Sequence, residues 1–229
     1  MIKKIELAVL PIPDLVFFPH TAVPLHLIEP VYINMIKDCI ENKAPVGIAL
    51  AIPVENTFHG RAYYSPRDVC GIGHPLILEE YADGTIKVLI KGFAKAKLRS
   101  IIQNLPYPIF HAELLPDKNN LSVIGESKIE NLKDVLEDWL IGHVHDSLER
   151  DTISNNINSV HQIIDHISMF IIKDQDIKQV LLESDSLYER IQILNLLFPK
   201  GSTFGLEDPF ISHAIKNYEI LEKIAKVVH

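Results

Sequence analysis

The sequence predicts an α+β chain in which a β-rich lobe, residues 7–118, precedes an α-helical bundle lobe, residues 119–200, and three observations point there. Short apolar runs rich in Val, Ile, Phe and Tyr, broken by proline and glycine, fill the first lobe. From about Leu121 onward the apolar residues recur at helical spacing instead, about 3.6 residues per turn. Charge divides at the same place: residues 1–118 hold 12 Lys+Arg and 12 Asp+Glu, whereas 119–229 hold 10 and 18, which is the whole of the net −8.

In the β lobe the short runs are Leu7–Pro11, Leu15–Phe18, Val46–Ile52 and Leu76–Tyr81. Asp83-Gly84, between Leu76–Tyr81 and Ile86–Ile90, predicts a two-residue hairpin turn, because this dipeptide tolerates the positive φ such a turn needs. From Ile86 to Leu98 the even positions are Ile, Val, Ile, Gly, Ala, Ala and Leu, and the odd ones are mainly lysine. That is the alternation of a half-buried strand, with Gly92 marking a bulge. One helix interrupts the lobe: Pro30 suits its first position, and Met35, Ile36, Cys39 and Ile40 recur on one face.

Past the turn-rich boundary at residues 116–122, Ile129, Leu132, Leu136, Trp139 and Leu140 form one apolar stripe. Ile157, Val160, Ile163, Ile164, Ile167 and Ile171 form another. Asp174 or Asp176 can start a short helix through Ile177, Val180 and Leu181. Ser186-Leu187-Tyr188-Glu189 has the form of a capping box ahead of Ile191, Leu194 and Leu197, and Pro199-Lys200-Gly201 stops that helix. A last amphipathic helix is expected within residues 201–229, capped by Asp208 with Pro209 in its first turn.

With 47% hydrophobic and 23% charged residues the chain has the composition of a packed protein. No stretch approaches the roughly 20 uninterrupted apolar residues of a membrane span. Two cysteines, Cys39 and Cys70, and a start without a signal-like apolar run lead us to expect a cytoplasmic protein.

Catalytic chemistry has little to stand on. Ten glycines include no phosphate cradle followed by Lys and Ser/Thr, so nucleotide hydrolysis is not expected. Eleven histidines suggest metal sites at Cys70, His74 and His59, or among His143, His145, His161 and His166, yet none has paired Cys-x-x-Cys or His-Glu-x-x-His spacing. His161 and His166, five apart, are rotated by about 140° on a helix. Cys39 lies on its helix's apolar stripe and reads as a small buried hydrophobe. We therefore expect no enzyme activity, no cofactor and no metal.

Lys87, Lys91, Lys95, Lys97 and Arg99, with Phe93 among them, would suit nucleic acid. A lysine-rich outer face also keeps a strand soluble, and the neutral lobe favours that reading. For protein binding the candidates are apolar groups in turn-rich segments, where rigid aromatic and proline surfaces can hold an extended chain at little entropic cost: Phe17, Phe18, Pro19, Pro24, Tyr63, Tyr64, Tyr107 and Pro108. Alternation would turn one of Phe17 and Phe18 inward and the other outward.

Four pieces of the chain carry a resemblance. They are Leu10-Pro11-Ile12-Pro13-Asp14-Leu15-Val16-Phe17-Phe18-Pro19-His20 with Val23-Pro24-Leu25; Val69–Gly73; Asp83–Gly92; and Leu181–Arg190. In this order they resemble the N-terminal, substrate-recognising domain of the Lon ATP-dependent proteases. His26–Pro30 departs from the small glycine and charged residues that the family often has there. The resemblance implies a PUA-like β pseudo-barrel beside a helical bundle, in a stand-alone form lacking the ATPase domain and the Ser–Lys protease domain. It also implies a non-catalytic module whose partners are unfolded or extended protein segments. Two other expectations stay open: a PUA-like module for a small molecule or RNA, and an adaptor docking on a separately encoded protease or ATPase through the last helix.

Overall fold

The structure is a computed structural model, and it describes residues 3–54, 63–118 and 125–200. The helix expected within 201–229 lies outside the described residues. The chain divides into two compact units: residues up to Asp117 together with Ile172–Asp185, and Lys118–Ile171 together with the residues from Ser186 onward.

Seven strands form the first unit's sheet: β1 (Lys4–Ile12), β2 (Ala22–Leu27), β3 (Val46–Val54), β4 (Tyr63–Pro66), β5 (Val69–Glu80), β6 (Ile86–Gln103) and β7 (Ile109–Leu114). Hydrogen bonding runs β1-β7-β6-β5-β3, and β1 pairs in parallel with β3, with Ala8 opposite Val46, so these five strands close into a ring. A ring leaves no edge among its members. Leu7 and Val9 of β1 point into it with Ala49, Cys70, Ile72, Ala96, Leu98 and Ala112, while the alternate Lys4 and Glu6 face out. The expected α+β class with a β pseudo-barrel is what the chain forms.

β6, at 18 residues, is the longest strand, and its two halves differ. Residues 86–91 pair with β5 on one side and β2 on the other. Ile86, Val88, Leu89 and Ile90 are all fully buried there, the continuous apolar run of a strand covered on both faces. The register slips where Ile72 opposes Ala94 but Gly73 opposes Gly92. The bulge is thus beside Gly92, and its extra residue, Phe93, projects outward onto His74 with ring centroids 4.6 Å apart. The slip corrects the lysine stripe: Lys95 is buried, its Nζ forming an ion pair with Asp117 Oδ1 (2.8 Å) and donating to the Ser184 carbonyl (2.6 Å).

The Asp83-Gly84 hairpin forms, with a three-residue loop rather than two. Tyr81 N–H donates to Thr85 O, Gly84 N–H donates to Tyr81 O, and only Gly84 takes positive φ (86°). This is a turn followed by a left-handed glycine. Asp83 accepts from the Thr85 backbone and hydroxyl, which holds its carboxyl below the usual carboxylate range.

Leu15–Phe18 is not a strand. The segment crosses the sheet between two residues of positive φ, Asp14 (57°) and His20 (58°). His20 N–H donates to Gly92 O, Gly92 N–H donates to Thr21 O, and the Thr21 hydroxyl donates to Phe18 O. Helix α1 (Pro30–Glu41) follows β2 with proline in its first turn and buries Ile33, Met35, Ile36 and Cys39, while Ile40 is partly exposed.

Helices α2 (Glu126–His143), α3 (Ser147–Asn156), α4 (Val160–His166), α5 (Gln175–Glu183) and α6 (Leu187–Leu197) follow, with a π-helical turn, Ile167–Ile171, continuing α4. α2 buries the stripe Leu132, Leu136, Trp139 and Leu140. The complete capping box belongs to α4, where Ser159 and Gln162 bond reciprocally; Ser186 caps α6 by accepting from Glu189 N–H. Ile172–Asp185, inside the stretch that sequence alone assigns to the helical lobe, packs with the first unit. It is tied there by Gln179 Nε2 donating to Val69 O (3.0 Å), by Lys95 on Ser184 O and by Arg67 to Asp176.

Candidate functional site

The eight expected contact residues divide sharply by accessibility. Phe17, Phe18 and Pro19 are buried, both phenylalanines completely, which corrects the expectation that one of the pair faces out. Strand alternation fails because this segment is not a strand. Its carbonyls instead press onto two side-chain-free positions, Gly71 under Phe17 and Gly92 under Phe18, and both rings turn inward. These three residues are core and present no surface to a partner. Tyr64, on β4 opposite Pro53, is 46% exposed. Pro24, on β2 opposite Leu89, is half-buried. Tyr107 and Pro108 lie half-buried in the β6–β7 turn, and the side chain of Tyr63 lies outside the described residues. The accessible ones therefore sit on three different strand pairs.

The β6–β7 turn is held on its β7 side by two adjacent residues. Tyr107 donates its hydroxyl to Asp38 of α1 (2.7 Å), a bond that pushes its own ionisation up to about 12. The Pro108 carbonyl accepts from Val9 N–H. On this anchored ribbon the structure exposes aliphatic groups absent from the expected set: Ile101 (48%), Ile102 (43%) and Leu105 (83%). The sequence signal was a break in alternation, since Leu98-Arg99-Ser100-Ile101-Ile102 no longer fits period two.

A second bulge causes that break. Leu98 opposes Ala112 and Ile101 opposes Phe110, so Arg99 and Ser100 together face the single residue His111. Around them lies a shallow cavity lined by Lys4, Arg99, Ser100, His111, Ala112 and Glu113. Arg99 donates from Nε (2.9 Å) and Nη2 (2.6 Å) to one oxygen of Glu113, while Lys4 and Lys97 oppose Glu113 from the flanking strands. These cations, Arg99 first, hold the Glu113 carboxyl below the usual range. Bulges of this kind re-aim side chains and recur beside functional sites.

Nucleophilic and metal chemistry finds no such assembly. Burial pushes the Cys39 thiol up to about 11 and the Cys70 thiol to about 12. At pH 8 a thiol of pKa about 11 is thiolate in only about one molecule in a thousand. Both cysteines are therefore expected to ignore a disulfide reagent at pH 8 in the folded protein and to react at once in denaturant; rapid native labelling of either would contradict this burial. His143 and His166 each place Nδ1 2.7 Å from the carbonyl four residues earlier, Trp139 and Gln162, so that nitrogen carries the proton and donates along its own helix. Among the described residues no three His, Cys, Asp or Glu side chains converge as metal ligands, and His59 lies outside them. No described helix is long and apolar enough to cross a membrane.

Comparison with known proteins points to one family. Residues 6–198 match the family described as the ATP-dependent protease La (LON) substrate-binding domain. Lon protease of Buchnera aphidicola subsp. Acyrthosiphon pisum is 24% identical over 217 residues, covering 93% of this chain and 27% of that protein. Lon protease 1 of Myxococcus xanthus is 24% identical over 195 residues, covering 84% and 24%. The chain thus spans about a quarter of the length of the relatives it matches. Among solved structures, the N-terminal domain of Mycobacterium avium complex Lon protease superimposes with a TM-score of 0.61 at 16% identity, covering 86% of this chain and 100% of that one. The Lon N-terminal domain protein from Xanthomonas campestris gives 0.57 at 14% identity, covering 85% and 99%. With four-fifths of its length matched in order, this chain belongs to the Lon substrate-binding domain family.

Proposed function

We propose that this chain is a non-catalytic recognition module that binds unfolded or extended segments of other proteins. The observation that carries this reading is the match of residues 6–198 to a substrate-binding domain. Exposed Tyr64 and the half-buried Pro24, Tyr107 and Pro108, on strands and a turn that flank the closed ring, supply apolar contact area that loses little entropy on binding. For segments without acidic residues apolar contacts dominate, so affinity is modest and hardly changes with salt.

The test is binding of a reduced, alkylated and permanently unfolded protein to the full chain, followed by fluorescence anisotropy. Wild type is expected to bind at micromolar concentrations. Tyr64→Ala is expected to weaken binding about 5–10-fold, an ordinary loss for one aromatic contact, while the melting temperature holds. Undiminished binding by a folded Tyr64→Ala protein would remove Tyr64 from the surface. Absence of binding by wild type would end the reading itself.

A further inference from the structure

We propose that the bulged β6–β7 ribbon is a docking site for extended polypeptide segments in which aliphatic residues are followed or preceded by Asp or Glu. In this site the aliphatic side chains lie on Ile101, Ile102 and Leu105, and the acidic side chain enters the cavity where Lys4, Arg99 and His111 stand beside Glu113. The inference rests on the recognition reading above and adds to it a place and a substrate class.

Charge and shape argue for this occupant together. At the bulge two β6 residues, Arg99 and Ser100, stand where an ideal ladder has one, and both are exposed. The surrounding outward groups are Lys4, Lys97, Arg99 and His111 against Glu113 and Glu6, the latter opposite His111 on β1. Glu113 engages Arg99 through Nε and Nη2 alone, so the two Nη1 hydrogens lie outside that pair and can meet a second carboxylate. Arg99 is 48% exposed along its side chain, whereas Glu113 is 18% exposed. The anion already present is therefore the less accessible of the two charges, and the surface offers an incoming chain its cations.

The aliphatic shelf begins immediately beyond. At about 3.4 Å per residue, Ile101 and Ile102 lie within roughly 10 Å of Arg99 along the strand. The turn that follows them is held on its β7 side by the Tyr107–Asp38 and Pro108–Val9 hydrogen bonds. A rigid apolar strip beside a cationic pocket selects acidic-aliphatic segments over purely acidic and purely apolar ones, because each half supplies only part of the affinity.

The experiment uses the full chain and three fluorescent peptides: one with a Leu-Ile-Leu run next to two Glu, its Gln counterpart, and a Glu peptide with Ser replacing the aliphatics. At low salt the Glu-aliphatic peptide is expected to bind about fivefold more tightly than the Gln version, and the difference should vanish near 0.5 M salt, where the screening length falls to a few ångströms. Arg99→Gln should abolish the preference while leaving the Gln peptide's affinity intact. Leu105→Ser with Ile102→Ser should weaken both aliphatic peptides. Equal affinity for the Glu and Gln peptides, a preference that survives Arg99→Gln, or equally tight binding of the Ser-substituted peptide would each overturn the site. If the peptides fail but the permanently unfolded protein still binds, this site is wrong and the recognition reading stands; if neither binds, both fall.

Discussion

Gly71→Ala is expected to destabilise the β unit by about 3 kcal/mol, the upper end of overpacking costs. A Cβ at this position would stand 2.2 Å from the Phe17 carbonyl oxygen, 2.8 Å from its carbon and 2.9 Å from the Phe17 ring. Two of these three neighbours are backbone, and the backbone at Phe17 is held by its surroundings. The turns at Asp14 and His20 fix its ends, and both phenylalanine rings are buried without remaining exposure. Relief would require lifting the whole Leu15–Pro19 segment off the sheet. Gly92→Ala meets the same geometry one strand over, 2.5 Å from the Phe18 carbonyl oxygen. Gly47→Ala is the milder comparison: its neighbours, Leu7 Cδ2 at 2.8 Å and Cys70 Sγ at 3.2 Å, are side-chain atoms, not backbone. Thermal melts should order the variants as Gly71 and Gly92 well below Gly47, with a fall of roughly 6–12 °C for the first two. A Gly71→Ala protein melting with the wild type would show that the crossing segment is not seated as described.

That crossing segment also shows how much was legible beforehand and how much was not. Local rules found α1 from Pro30, the Asp83-Gly84 turn, the bulge at Gly92 and the α2 stripe, because each depends on the nearest few residues. The burial of Phe17 and Phe18 is set by Gly71 and Gly92, about 50 and 70 residues away, and no local pattern encodes that approach. The burial of Lys95 has a related cause. A one-residue slip at Phe93 inverts the faces of everything after it, and the buried amine is then met by Asp117 and by Ser184, 89 residues on. Helix α3 buries one apolar side chain, Ile153, and so leaves no stripe in the sequence. The exposed aliphatics of the β6–β7 ribbon, Ile101, Ile102 and Leu105, carry no aromatic or proline signal, because they follow a bulge visible only as broken alternation.

Arg190→Ala is expected to cost the helical unit about 3–5 kcal/mol, and Asp165→Ala a comparable amount. Arg190, in the first turn of α6, and Asp165, near the end of α4, form an ion pair with both side chains essentially sealed from solvent. Removing one partner leaves the other charge in a low-dielectric interior, and water reaches it only if the helices part. The magnitude comes from that abandoned charge, not from the attraction lost, since burying both ions carried its own desolvation cost. The double replacement separates these terms: Asp165→Leu with Arg190→Met removes both charges and refills the volume with apolar atoms, and should recover most of the stability lost by either single alanine. Calorimetry of the three proteins reads the result directly. If the double variant is as unstable as Arg190→Ala, the pair contributes through specific geometry, for instance by holding the π-helical turn Ile167–Ile171 that begins two residues after Asp165. Either way the Tyr64 and Arg99 binding readouts should persist at temperatures below the melt, because neither residue lies in the helical unit.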